Sequence, residues 1–83
     1  MDVETAIWAL VEHIKECNWW WKDAYRDGSA DRMATNENRR IAYLVSIGTL
    51  LLVNEDESVN TASALWRAGE WFEAHNINQH NIV

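Results

Sequence analysis

Apolar residues recur at steps of three and four in the first third of the chain, which is the spacing of one face of an α-helix. The pattern predicts a first helix from about residue 3 to residue 26. Asp2 can act as its N-cap, and Lys22 and Arg26 suit its C-terminal end. The predicted apolar stripe consists of Val3, Ile7, Leu10, Ile14, Cys17, Trp21 and Ala24, widened by Val11 and Tyr25 on one side and by His13 and Trp20 on the other.

The residues after the turn signal Asp27-Gly28-Ser29 predict a second helix whose start is ambiguous. It can begin at Ser29, or only after Thr35 or Asn36, with a short extra helix near residues 30–36 as the alternative. From about residue 37 to residue 53 it is broadly apolar, which predicts a central helix. A β-strand over residues 43–53 is disfavoured because turn signals do not flank it on both sides. The predicted face is Ile41, Leu44, Val45, Ile47, Leu51 and Leu52.

A polar loop at residues 54–57 separates this helix from a third one, predicted at about residues 59–75. Ser58 or Asn60 can cap it. Its predicted stripe is Ala62, Leu65, Gly69 and Phe72, with Trp66 and Trp71 on either side. The tail, residues 76–83, is expected to be frayed or docked late. The sequence therefore predicts a single all-α domain over residues 1–83, a small bundle of three main helices.

Composition supports this fold class and indicates a compartment. The chain has no proline and three glycines, fewer turn residues than a many-stranded β fold needs. Cys17 is the only cysteine, so no internal disulfide can form, which favours a reducing, cytoplasmic environment. The N-terminus lacks the pattern of a secretion signal. The uncharged run at residues 41–54 is shorter than the roughly 20 apolar residues of a bilayer span, so no membrane contact is expected.

The formal charge of −6 argues against direct binding of nucleic acid or anionic lipid and favours a protein partner with a basic surface. Mimicry of a nucleic acid by the carboxylates is a weaker alternative. No catalytic signature is present, so we expect neither enzymatic activity nor a cofactor. His13 and Cys17 have the spacing of two metal ligands, with His75, His80 or Glu16 as partners. A lone cysteine on an apolar stripe is more often a core residue, so we expect no metal site.

Six tryptophans in 83 residues are the most unusual feature of the sequence. Trp8 and Trp19 fall on the polar side of the first helix, and large exposed aromatic residues are enriched at binding sites. The alternative is that the tail or residues 27–38 cover them. The predicted partner-binding residues are Trp8, Glu12, Glu16, Trp19 and Trp20.

A strip of small residues on the second helix, Ala42, Ser46 and Thr49, allows close approach of another helix. That helix belongs either to the same bundle or to a second copy, in which case the strip is a homodimer seam.

These features predict a small acidic, non-enzymatic protein that binds one macromolecular partner and inhibits or recruits it. Phage and mobile-element inhibitors of host defence machinery often have this profile, although no motif here specifies that class. The alternative is a self-associating structural or regulatory module. Oligomer mass distinguishes the two.

Overall fold

A computed structural model describes residues 2–82, so Met1 and Val83, the ends of the predicted domain and tail, lie outside the described residues. The chain forms three helices, α1 (Val3–Arg26), α2 (Ala30–Asn54) and α3 (Thr61–Ala74), and residues 2–82 contain no strand. The prediction of an all-α bundle with three main helices is confirmed.

Local signals define both ends of α1. An Asp2 carboxylate oxygen accepts a hydrogen bond from the Thr5 N–H at 2.7 Å, which lowers the pKa of Asp2. After Arg26 the chain turns at Gly28, whose φ of +68° favours glycine. The Ser29 N–H then donates to the Ala24 carbonyl at 2.9 Å and completes the turn.

The second helix begins at Ala30, at the earlier of the two predicted starts. The Ser29 hydroxyl caps it by accepting from the Arg32 N–H at 3.3 Å. Residues 30–36 are therefore the first turns of α2, and the separate short helix considered near them does not form. The polar sequence obscured this because Asn36 and Arg40 are buried there in place of apolar residues.

The third helix starts with a capping box, in which the side chains of Asn60 and Ser63 each bond the other residue's backbone N–H. The predicted stripe of α3 was only partly right. Phe72 is buried and Leu65 packs against the core as a partly buried residue, whereas Ala62 is exposed and Gly69 is half-buried. The helix is rotated because its backbone at Ala64 lies against Gly48 of α2. The buried face is Ala64, Ala68, Trp71 and Phe72.

The central position of α2 follows from its packing against both α1 and α3. The core combines residues of all three helices: Ile7, Val11, Ile14, Leu44, Ile47, Leu51, Ala68, Trp71 and Phe72. Two predicted core residues of α2 lie nearer the surface, since Val45 is half-buried and Ile41 is exposed. No helix among residues 2–82 has both the length and the apolar character needed to cross a bilayer.

Candidate functional site

Trp8 lies on α1, and its ring packs against aromatic rings at the C-terminal end of α3. Its centroid is 5.2 Å from that of Trp71 and 5.9 Å from that of His75, in edge-to-face arrangements. The indole N–H donates to a carboxylate oxygen of Glu4 at 3.1 Å. The side chain remains 41% exposed, so Trp8 stabilises the α1–α3 contact and still presents surface.

The tail lies along α1 between Trp8 and Trp19. The Asn18 amide donates to the Gln79 carbonyl at 2.7 Å, and the Lys22 ammonium donates to Asn81 Oδ1 at 3.2 Å. Ile82 lines the surface beside both tryptophans. The tail is thus docked along residues 76–82, and it covers the strip between the two rings without covering the rings themselves.

Trp19 and Trp20 form an exposed aromatic pair further along α1. Their ring centroids are 4.7 Å apart in an edge-to-face arrangement, and the side chains are 56% and 45% exposed. Trp21 is half-buried and stacks on Tyr25 at 5.6 Å. Consecutive helical residues point about 100° apart, so the three rings cannot share one environment.

A groove of about 530 Å³ lies beside Trp19 and is lined by side chains of α1 and of the tail. The predicted partner-binding residues Glu12 and Glu16 both line it, and Lys15 and Lys22 add two ammonium groups that were not predicted to take part. These side chains can form ion pairs and hydrogen bonds with a partner, while Trp19 offers apolar contact area. The remaining lining residues are His13, Asn18 and Ile82.

Trp20 faces the first turns of α2 across a second groove, of about 310 Å³. Arg32, Thr35, Asn36 and Arg39 line it, so the environment of Trp20 depends on residues 30–36 being helical. The Arg32 guanidinium pairs with the carboxylates of Asp27 at 2.7 Å and Asp23 at 3.4 Å. We call Glu12, Lys15, Glu16, Trp19, Trp20 and Lys22 the Trp19 surface.

Arg40 connects α2 to the tail behind this surface. The side chain is buried, and its guanidinium donates to Gln79 Oε1 at 2.5 Å and to a carboxylate oxygen of Glu37. This pairing lowers the pKa of Glu37. Glu37 and Arg40 are three residues apart on one helix, a spacing at which ion pairs form, whereas nothing in the local sequence indicates that Arg40 is buried against the tail.

The strip of small residues on α2 lies mostly at the surface of the bundle. Ala42 and Ser46 are exposed and Thr49 is half-buried. The Ser46 hydroxyl donates to the Ala42 carbonyl of its own helix at 3.0 Å. The small residue that admits a neighbouring helix within the bundle is Gly48, because a Cβ there would lie 1.7 Å from the Ala64 carbonyl oxygen.

Two of the residues considered as metal ligands, His13 and Cys17, lie in different environments, because His13 is exposed and Cys17 is buried. Cys17 is buried, and this burial raises the pKa of its thiol. The His13 ring stacks on Tyr43 with centroids 5.1 Å apart. Across residues 2–82 no three His, Cys, Asp or Glu side chains come together in a group that could hold a metal ion.

Two residues of α3 that no prediction assigned to a site also lie at the surface. Trp66 is 73% exposed, and Gly69 lies one turn later beside Glu70 and Glu73. Gly69 could have been singled out from the sequence, because a glycine inside a helix is unfavourable and its presence often has a packing or functional cause.

Comparison with known proteins supplies no relative from which to transfer a function. No family model, curated protein or solved structure matches the chain.

Proposed function

We propose that the chain is a non-enzymatic binding protein that docks one protein partner on the Trp19 surface and thereby inhibits or recruits it. The observation that carries this proposal is the pair of half-exposed indole rings of Trp19 and Trp20, in contact with each other beside a groove. Aromatic residues that a partner can desolvate supply much of the binding energy at protein interfaces.

The charges of the groove define the chemistry of the partner. Glu12 and Glu16 require basic side chains opposite them, which fits a partner with a basic surface. Lys15 and Lys22 line the same groove, and Lys22 already donates to Asn81 of the tail. We propose that the partner's basic groups face Glu12 and Glu16 and that its carboxylates face the lysines, Lys15 above all. Such mixed pairing sets the orientation of the partner and disfavours uniformly charged ligands.

The test is affinity capture with the wild-type chain, a Trp19→Ala/Trp20→Ala variant and, as the control, Val59→Ala at an exposed apolar residue outside the Trp19 surface. We expect one protein to be retained by the wild type and by the control and lost with the double variant. The purified partner should bind the wild type with one-to-one stoichiometry in calorimetry, and Glu12→Gln/Glu16→Gln should weaken that binding about tenfold or more. Circular dichroism checks that every variant folds. Equal retention by the wild type and the double variant would overturn the proposal.

Self-association through α2 is a second candidate, which one observation favours. The face that contains Ala42, Ser46 and Thr49 continues to Val53, which is exposed, and residues 41–54 carry no charge. Two copies could therefore approach along this strip without burying unpaired charges. Light scattering over a concentration series is the test. A mass that doubles with concentration in the wild type but not in Ser46→Glu supports a dimer, and a constant monomer mass excludes it.

A further inference from the structure

The outer face of α3 carries an exposed tryptophan that is not part of the core. Trp66 is the most exposed tryptophan of residues 2–82, at 73%, and its ring makes no aromatic contact within that range. The buried face of α3 uses Ala64, Ala68 and Trp71 instead. Removing Trp66 from the surface would therefore cost the core little.

Gly69 forms a gap on the same side of the helix, one turn after Trp66. A glycine inside a helix is less favourable than alanine by roughly 0.5–1 kcal/mol. A Cβ at position 69 would meet no heavy atom within 4 Å, so packing within the chain does not require the glycine. Position 48 is the opposite case, because a Cβ there would clash with the α3 backbone. The gap at Gly69 leaves room for a group that is not part of this chain.

The groove at this position has a volume of about 240 Å³ and is acidic. Glu70 and Glu73 line it beside Leu65, Trp66 and Gly69. Arg67 is the single lysine or arginine within α3, and Glu55 neutralises it through two contacts of 2.9 Å, so the surroundings of the groove are acidic as well. This pairing also lowers the pKa of Glu55.

The charge of the molecule is concentrated at this end. We call it the acidic end, and it comprises residues 2–4, residues 55–57 and α3. It holds seven carboxylates against Arg67 alone, which accounts for the formal charge of −6, whereas the other six acidic and six basic side chains cancel. The seven carboxylates are those of Asp2, Glu4, Glu55, Asp56, Glu57, Glu70 and Glu73.

We propose that the outer face of α3 docks a basic peptide segment of a partner protein. An arginine or lysine of that segment stacks on the Trp66 ring, its backbone passes over Gly69, and its other cations pair with Glu70 and Glu73. Cations bind the faces of indole rings more strongly than those of other aromatic side chains. A symmetric pairing of this face with a second copy is disfavoured, because it would set Glu70 and Glu73 against their own copies.

The probe for this proposal is a short peptide of alternating arginine and glycine, with the same peptide carrying citrulline in place of arginine as its uncharged control. Binding is followed at physiological salt through the indole and amide signals of the 15N-labelled protein in NMR. We expect the arginine peptide to shift the Trp66 indole and Gly69 amide signals most, and the citrulline peptide to shift them little. Trp66→Ala should weaken binding about tenfold.

Gly69→Ala separates docking from folding. We expect it to raise the melting temperature, because alanine favours the helix and nothing obstructs its methyl group, and to weaken peptide binding at least threefold. Trp19→Ala/Trp20→Ala should bind the peptide as the wild type does, so failure here and failure of the Trp19 surface are distinguishable. Unchanged affinity in Trp66→Ala and Gly69→Ala would overturn the proposal. So would shifts of similar size in the amide signals of all the acidic residues. So would a Trp66 signal that moves with protein concentration alone, since the occupant would then be a second copy.

Discussion

Gly48 is tightly packed against a neighbouring helix, whereas Gly69 has open space beside it. Substitution by alanine should therefore destabilise the fold at position 48 and stabilise it at position 69. At Gly48 an added Cβ would lie 1.7 Å from the Ala64 carbonyl oxygen, so α3 must move. We expect Gly48→Ala to lower the free energy of unfolding by about 2 kcal/mol or more. Gly69→Ala should raise it by about 0.5–1 kcal/mol. Urea unfolding followed by circular dichroism measures both, and shifts of the same sign would contradict the described position of α3.

The pair formed by Arg40 and Glu37 should make stability depend on pH in the acidic range. Its hydrogen bonds hold the folded-state pKa of Glu37 below the ordinary value of 4.5. A carboxyl with a depressed folded-state pKa stabilises the fold above its unfolded-state pKa, and this contribution is lost as the pH falls through the folded-state value. Wild-type stability should therefore decline below about pH 4.5 in part through Glu37.

The variant Glu37→Gln tests this coupling. We expect it to be less stable than the wild type at neutral pH, because the buried Arg40 loses its carboxylate, and to lose less stability on acidification. The comparison is a series of urea unfolding curves between neutral and acidic pH, with Glu16→Gln on the surface of α1 as the matched control. If Glu37→Gln and the wild type decline in parallel, Glu37 does not contribute to the acid sensitivity.

At the scale of elements, the tail compensates for the short length of α3. The first two helices have 24 and 25 residues and the third has 14, so α3 covers only part of the hairpin that they form. Residues 77–82 continue along the uncovered part, where Gln79 bonds both Asn18 and Arg40. Ile77 and Ile82 pack against the core as partly buried residues.

Deletion of residues 77–83 should therefore lower the free energy of unfolding by about 2–4 kcal/mol, since two partly buried isoleucines and the partners of two buried polar side chains are lost. The unfolding slope should also fall, because less surface is exposed on unfolding. Gln79→Ala is the control, which removes the amide contact to Arg40 alone and should cost less. A truncated chain as stable as the full one would show that the tail is not docked in solution.

The elements differ in how far their own sequence predicts them. Helix α1 was predicted with both of its ends, because Asp2 and Gly28 act through neighbouring residues. The rotation of α3 about its axis was wrong, since the predicted stripe is not centred on the contact with Gly48. The short helix considered near residues 30–36 is part of α2, and Ile41 and Val45 lie nearer the surface than predicted. Among the candidate site residues, the ring contact of Trp19 and Trp20 is between sequence neighbours, whereas no helical wheel could have placed the tail between Trp8 and Trp19.

At the scale of the whole molecule, the uneven charge should make α3 sensitive to salt. The carboxylates of the acidic end repel one another, and salt screens this repulsion over a Debye length of about 8 Å at physiological ionic strength. We expect the amides of α3 to exchange hydrogen more slowly as salt is raised, while those of α1 and α2 change little. Native-state hydrogen exchange at low and high salt measures the difference, and Glu70→Gln/Glu73→Gln should reproduce the effect of salt. A uniform change across all three helices would show that the charge acts on the fold as a whole.

Local patterns along the chain were enough to predict the number and type of the elements, most of their ends and the amphipathic face of α1. These features depend on residues close together in the chain, through helical periodicity, capping side chains and the φ of a glycine. Which face of α3 is buried, where the tail lies and how much of each tryptophan is exposed became clear only from the three-dimensional packing. Those properties arise from contacts between residues distant in sequence, such as Ala64 with Gly48 and Gln79 with Arg40, which local pattern cannot encode.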